Sequence, residues 1–480
     1  MKILVASLLP LASWASELTV STTSGTVQGF YNDSSAQTVR AFLGIPYAEP
    51  PVGIRRWAPP VPKKSLKSWL DAHEFGPSCP LRYSPSDNDI YSVLPYSPPH
   101  PDYISEDCLS LNIWAPSRRH TSLAGRSKEA AVLVFIHGGA FVSGTSAVPF
   151  YDGAPFVRDN ENVIIVTLNY RLGIFGYPNA PGLPVGKQNV GLLDQRLAVK
   201  WLRDNISQFG GDPKRITLLG QSAGAISADM YVYAYHMDPL VHGIVMQSGT
   251  AALFSSSDFT HSGWQNVSET LGCTQRDPAR NLKCMRELPV RDVLQAAVGQ
   301  LFVPVQDNIT VFSNYSHRAE LGKLAKIPVL VGSNAQESFT GPLDGPGPDK
   351  DTAQALTTAL FTCPADAAAR ARRDHHIPSW RYLYHGNWTN LSPVPWLGEL
   401  PLVFGTYNLS QPTLRDQVLA SKYVQGAWAA FAHDPHDGLS AYGWPLYDAQ
   451  DSTLVSLALD NRPDPVFTKD PLAGLCGSTN

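Results

Sequence analysis

Charge is scarce in this sequence, and none of it is concentrated. Only 16% of the 480 residues are Asp, Glu, Lys or Arg, and the formal net charge is −4. No basic cluster is present, which argues against a nucleic-acid partner. Beyond the first residues, no apolar run approaches the roughly 20 residues of a membrane-spanning helix, so no membrane span is expected. Tandem repeats, low-complexity tracts and charged linkers are also missing, so nothing divides the chain into modules. The six cysteines, Cys79, Cys108, Cys273, Cys284, Cys363 and Cys476, form no CxxC or Cys/His pattern. That spacing excludes the usual zinc sites and favours disulfides, and no metal is expected.

What is present is ample apolar material, 43% of the residues. A chain of this length can bury a large core as one domain. Met1-Lys2, the apolar run Ile3–Leu11 and the small residues around Ala15 describe a secretory signal over residues 1–15, leaving 16–480 as a single domain. Asn-x-Ser/Thr sequons at Asn32, Asn205, Asn266, Asn308, Asn314, Asn387, Asn390 and Asn408 add to the case for an exported, glycosylated protein.

Through the middle of the chain, continuous aliphatic runs alternate with helical patterns. The runs are Ala131–Ile136, Val163–Leu168, Ile216–Leu219, Gly243–Met246 and Ile327–Val331. Such runs read as strands buried on both faces. A helix is expected after Asn189, with Leu193, Leu197, Trp201 and Leu202 on its apolar face. Strands alternating with helices predict an α/β fold with a mostly parallel central sheet flanked by helices. Leu18–Tyr31 alternates like a hairpin and predicts a small N-terminal antiparallel sheet.

Gly220-Gln221-Ser222-Ala223-Gly224 directly follows one of these strands and opens a helical stretch. A serine on a sharp strand-to-helix turn, flanked by glycines that let the two backbones approach, is the arrangement of a nucleophile elbow. His137-Gly138-Gly139-Ala140-Phe141 follows an earlier strand. Glycines there expose backbone N–H groups to a tetrahedral oxyanion, although tight turns use the same residues.

These motifs belong to a longer ordered series. It includes Phe42-Leu43-Gly44-Ile45-Pro46-Tyr47-Ala48, Glu106-Asp107-Cys108-Leu109, Asn169-Tyr170-Arg171-Leu172, Asn189-Val190-Gly191 through Asp194-Gln195, Gly210-Gly211-Asp212-Pro213 and Gln247-Ser248-Gly249. In this series the chain resembles the type-B carboxylesterases, lipases and cholinesterases, and is similar to secreted fungal members. The resemblance implies an α/β-hydrolase fold and a small-molecule ester substrate, with no cofactor. It implies Ser222 as the nucleophile, with oxyanion donors from the amides of Gly139, Ala140 and Ala223. Ala140 stands where many relatives have a third glycine, and Gln221 where a glutamate is common. Glu337, in the loop after Ile327–Val331, takes the place of the triad acid. Disulfides Cys79–Cys108 and Cys273–Cys284 are implied too, with Cys363 and Cys476 left over.

The family's histidine is missing. Its flanks, Pro395-Trp396-Leu397-Gly398 and Glu399-Leu400-Pro401-Leu402-Val403-Phe404-Gly405, are joined directly. The order Ser, Glu, His leaves His375, His376, His385, His433 and His436 as replacements; His385 follows the strand-like Trp380–Leu383, His375 and His376 read as a solvated helix end, and His137 as structural. The gap leaves several readings open. One is an esterase with a rescuing histidine, or with codons dropped at a splice junction. Another is an inactive cholinesterase-like binding or adhesion protein, and a third is a tailoring esterase of fungal secondary metabolism.

Overall fold

A computed structural model describes residues 17–33, 35–81, 103–118, 129–160, 162–253, 258–337, 348–388, 398–407, 413–471 and Cys476. The proposed signal peptide, Pro395–Leu397 and the sequons at Asn390 and Asn408 lie outside the described residues.

The strands are β1 (Thr19–Thr22), β2 (Gly25–Gln28), β3 (Phe30–Tyr31), β4 (Val39–Pro46), β5 (Leu70–Asp71), β6 (Ser110–Pro116), β7 (Ala130–Ile136), β8 (Val163–Leu168), β9 (Gly211–Gln221), β10 (Gly243–Gln247), β11 (Val329–Asn334), β12 (Ser379–Tyr384), β13 (Leu454–Leu457) and β14 (Val466–Thr468). Eleven of them form one sheet in the order β14-β13-β12-β11-β10-β9-β7-β8-β6-β4-β3. The neighbours from β13 to β8 run parallel, and the two margins are antiparallel. The aliphatic runs in the sequence thus mark the parallel centre of the sheet.

Period-two alternation explains why those runs are apolar throughout. Along β7, Val132, Val134 and Ile136 enter one core. Ala131, Leu133 and Phe135 enter another on the opposite face. Successive side chains of a strand point to opposite sides, so a strand covered on both sides must be apolar at every position. Helix α1 (Val190–Asn205) covers the first face, as does α2 (Ala223–Ala234); α5 (Leu400–Phe404) and α6 (Arg415–His433) cover the second. Two further helices, α3 (Lys350–Thr357) and α4 (Cys363–Asp374), lie between β11 and β12 in the chain.

Two sequence expectations need correction. The helix after Asn189 exists, but Leu193 and Leu197 are only partly buried, and its inner face carries Leu192, Asp194, Gln195, Ala198, Val199, Trp201 and Leu202. The shift has a physical cause: Asp194 is drawn inward by Arg171, with bonds of 2.7 Å from both Nε and Nη2. A buried polar group is tolerated when it is so paired. The small sheet is also less simple than an antiparallel one. β1 and β2 form a hairpin, but β5 adds parallel to β2, and Phe30–Tyr31 leave to pair with β4 in the large sheet. That departure covers the otherwise open backbone groups of β4.

All six cysteines are paired, as Cys79–Cys108, Cys273–Cys284 and Cys363–Cys476. The last spans 113 residues and ties the C-terminal segment to the start of α4. Among the described residues no helix is long and apolar enough to cross a membrane.

Candidate active site

β9 ends at Gln221 and α2 begins at Ala223, so Ser222 alone makes the turn. Its backbone sits at φ 52°, ψ −119°, a conformation that costs an L-residue on the order of 1–3 kcal/mol. Two contacts hold it there. The Ser222 N–H donates to the Gln247 carbonyl at 2.8 Å, and its own carbonyl accepts from Ile226 N at 2.9 Å. The flanking glycines are required by packing. A Cβ on Gly220 would stand 2.2 Å from the Gly224 carbonyl oxygen, and one on Gly224 1.9 Å from that of Ile136. Ser222 is partly exposed while its neighbours are buried, so the turn aims its hydroxyl outward.

The Gly138–Phe141 turn lies against this elbow. A Cβ on Gly138 would stand 3.1 Å from the Ser222 Cβ. Gly139, Ala140 and Phe141 are all left-handed, at φ 112°, 51° and 64°. Their carbonyls are engaged, since Gly139 O accepts from Val142 and Ser143 and Phe141 O from Gly173 N. The amides of Gly139, Ala140 and Ala223 donate to no acceptor among the described residues. Backbone N–H groups without acceptors beside a serine are the kind of group that can bind an anion.

Ala140 carries strain because a left-handed backbone suits glycine. An Ala140→Gly variant is therefore expected to be more stable by about 1 kcal/mol, the cost of holding an L-residue there. A denaturant titration checks this; a lower midpoint in the variant refutes it.

His137 matches its structural reading. It is buried, its Nδ1 lies 2.8 Å from the Gly138 carbonyl, and its ring stacks on Tyr170 with centroids 4.6 Å apart. Burial pushes its pKa down to about 4, so it is neutral at ordinary pH.

Glu337 follows β11 and is buried. Its Oε1 accepts from the Ser248 hydroxyl and, at 2.6 Å, from Asn334 N. Among the described residues its Oε2 accepts only a long bond of 3.3 Å from Asn334 Nδ2. Its own N–H donates to Thr357 Oγ1 at the end of α3. Glu399, buried at the start of α5, acts on it electrostatically, and among the described residues its two carboxylate oxygens form no well-shaped hydrogen bond. The Tyr382 hydroxyl and the Gln247 amide adjoin Glu399 without good bonding geometry either. Burial raises Glu337 to about 8, against the bonds from Ser248 and Asn334, with Glu399 adding to the rise. Burial likewise lifts Glu399 to about 7.

This pair sets a pH dependence of stability. Below about pH 4.5, both groups are protonated in the folded and unfolded chains alike, and burial costs nothing extra. As pH rises toward 7–8 the unfolded chain loses these protons while the folded one keeps them, so stability falls. The melting temperature should drop between pH 5 and pH 8, and Glu399→Gln should flatten that drop. A wild-type melting temperature that rises over this range contradicts the pairing.

No imidazole completes the site among the described residues. His385 is the sequence candidate, and the structure puts it elsewhere. It follows β12, three strand intervals from β9, or about 14 Å of sheet. Its N–H donates to the Leu457 carbonyl on β13, and the charge it senses is Asp460. His375 and His376 precede β12 and so stand at the opposite edge of the sheet. Ser248, Gln247, Tyr382 and Glu399 were not assigned roles from sequence. Gln247, Ser248 and Glu399 sit in quoted motifs, and for Gln247 and Ser248 the position at the end of β10 is the signal that could have found them.

The sequons divide as well. Asn32, Asn266, Asn308, Asn314 and Asn387 are exposed. Asn205 is a correction: it is buried, accepting from Thr23 N at 2.7 Å and donating to Thr23 Oγ1 and the Trp201 carbonyl. A fully bonded, enclosed amide leaves no room for a glycan.

A twisted parallel sheet, helices on both faces and a strained serine turn at a strand's C-terminal end define the α/β-hydrolase class. The chain belongs to the carboxylesterase family, whose model matches residues 16–341. It is 37% identical to Secreted lipase 5 of Gibberella zeae over 506 positions, covering 96% of this chain and 94% of the relative. It is also 37% identical to the chlorogenic acid esterase of Aspergillus niger, covering 92% and 90% of the two chains. The acetylcholinesterase of Bungarus fasciatus is 30% identical over 97% of this chain and 86% of its own length. The chain is thus of the carboxylic ester hydrolase type.

Proposed function

We propose that this protein is a secreted serine carboxylic-ester hydrolase that acts through an acyl-enzyme at Ser222, with turnover impaired by the missing histidine segment. The observation that carries the reading is Ser222 held on a strained turn beside three N–H groups that lack acceptors. In this reading Ser222 attacks the ester carbonyl, and Gly139, Ala140 and Ala223 hold the oxyanion. Collapse releases the alcohol, and water then cleaves the acyl-serine. Glu337 is the acid of the site. Loss of a triad histidine costs on the order of 10⁶ in kcat, while an intact oxyanion hole still gives about 10³–10⁴ over water. Slow turnover is therefore expected rather than none.

The absent imidazole also favours a second reading, an inactive ester-binding or adhesion protein. One experiment separates the two. The purified protein is offered p-nitrophenyl acetate and a fluorophosphonate probe, with Ser222→Ala as control. Turnover and labelling that vanish in Ser222→Ala support the hydrolase. Wild type no faster than that control establishes the binding protein instead. Chlorogenic acid, named for one relative, is a sensible second ester to test.

A further inference from the structure

α2 is buried from Ala223 to Tyr233, yet it carries Asp229, the one Asp, Glu, Lys or Arg in its sequence. A charge inside such a helix is costly unless it is paired and bonded. Its partner is Arg372 in the last turn of α4, also buried, whose Nη2 donates to Asp229 Oδ1. The second carboxylate oxygen has a task that the ion pair does not require. Asp229 Oδ2 accepts from Ala251 N at 2.8 Å, in the loop that leaves β10.

That loop links the nucleophile to the acid. The Gln247 carbonyl accepts from Ser222 N at 2.8 Å. Ser248 N donates to the Gly332 carbonyl at 2.8 Å, and the Ser248 hydroxyl donates to Glu337 Oε1. Gly249 packs so closely on the elbow that a Cβ there would stand 2.6 Å from the Ser222 carbonyl oxygen. Ser248 is left-handed, at φ 58°, a conformation that an L-residue keeps only when its surroundings impose it. The far end of this short stretch must therefore be fixed. Among the described residues, the side chain that bonds the main chain of residues 249–251 is Asp229.

We propose that Asp229 is a positioning residue for the reaction: its carboxylate, held by Arg372, fixes the main chain of residues 247–251 and with it the placement of Ser222 and Glu337. The inference rests on the hydrolase reading above. In this role Asp229 transfers no proton. It restrains the Ala251 N–H, so that Ser248 keeps its left-handed backbone and its bond to Glu337. Without that restraint Ser248 relaxes toward an ordinary conformation, and its hydroxyl leaves the acid. A displacement of about 1 Å among reacting groups costs on the order of 10²-fold in rate, even when its cause lies away from the chemistry.

The test separates this role from that of an ordinary buried ion pair. Asp229→Leu combined with Arg372→Leu removes both charges together, and should recover much of the urea midpoint lost in Asp229→Leu alone. Turnover of p-nitrophenyl acetate should nevertheless stay low in that double variant. There kcat should be down about 10- to 100-fold and KM changed by less than about threefold, because Ala251 N still lacks its acceptor. Asp229→Asn combined with Arg372→Leu returns an acceptor oxygen without the charge, and should exceed the Leu pair in kcat by on the order of tenfold. A Leu pair as fast as wild type makes the ion pair purely structural and overturns the proposal. An Asn variant as slow as the Leu pair overturns it too. If the Leu pair fails to fold, Asp229→Ala with Arg372→Leu takes its place in the same comparison. Wild type no faster than Ser222→Ala rejects the hydrolase reading itself, a different outcome.

Discussion

A short histidine-bearing insertion between Gly398 and Glu399 should raise kcat for p-nitrophenyl acetate by at least about 10²-fold. The expectation follows from what is already in place. The serine turn, three amides without acceptors and a buried carboxyl are all present, and only the imidazole is absent among the described residues. Since loss of the histidine costs on the order of 10⁶, even an imperfectly placed imidazole has much to recover. Glu337 can receive it, because a ring N–H aimed at Oε2 supplies a shorter bond than the 3.3 Å one this oxygen accepts from Asn334 Nδ2. Protonation to imidazolium also places a cation beside two buried carboxyls, where it is favoured. The gain must vanish when Ser222→Ala is added. A folded insertion variant that is no faster, or whose gain survives Ser222→Ala, shows that the remaining groups are not arranged for catalysis.

The second large effect concerns stability. Arg171→Leu should cost about 3–5 kcal/mol, the usual penalty for leaving one member of a buried ion pair alone. Arg171 and Asp194 are almost fully enclosed, with side chains 3% and 0% exposed. Arg171 also donates from its backbone N to Asp194 and from Nη1 to the Ala58 carbonyl at 2.8 Å. The loop it anchors supports the His137–Phe141 turn, through Tyr170 Oη to the His137 carbonyl and Gly173 N to Phe141 O. Adding Asp194→Leu should restore part of the loss, because the orphaned carboxylate is then removed. Urea midpoints at pH 7 for the two single variants and the double variant provide the measurement. A double variant as unstable as the sum of the singles sinks the explanation.

Much of the fold was legible because a parallel sheet covered on both faces forces continuous apolar runs. Val163–Leu168 was read to the residue, and Ala131–Ile136 and Gly243–Met246 to within one position at one end. The serine turn was legible for a related reason: Gly220 and Gly224 are required by backbone contacts that admit no side chain. The buried face of α1 was misjudged because apolar periodicity does not register a buried aspartate paired with a distant arginine. Asn205 shows the same limit, since a sequon is a local pattern and its burial depends on Thr23, far away in sequence.

By itself, the sequence determined the parallel strands, the turn at Ser222, the glycine turn after β7 and the absence of a histidine between Gly398 and Glu399, because each is written in neighbouring residues. Tertiary structure alone decided which groups meet and which do not. Glu337 meets Ser248 only because β10 and β11 are neighbours in the sheet, and His385 is carried away only by the order of strands. Local pattern fixes backbone conformation, whereas the electrostatics of a site depends on groups that burial gathers from distant parts of the chain.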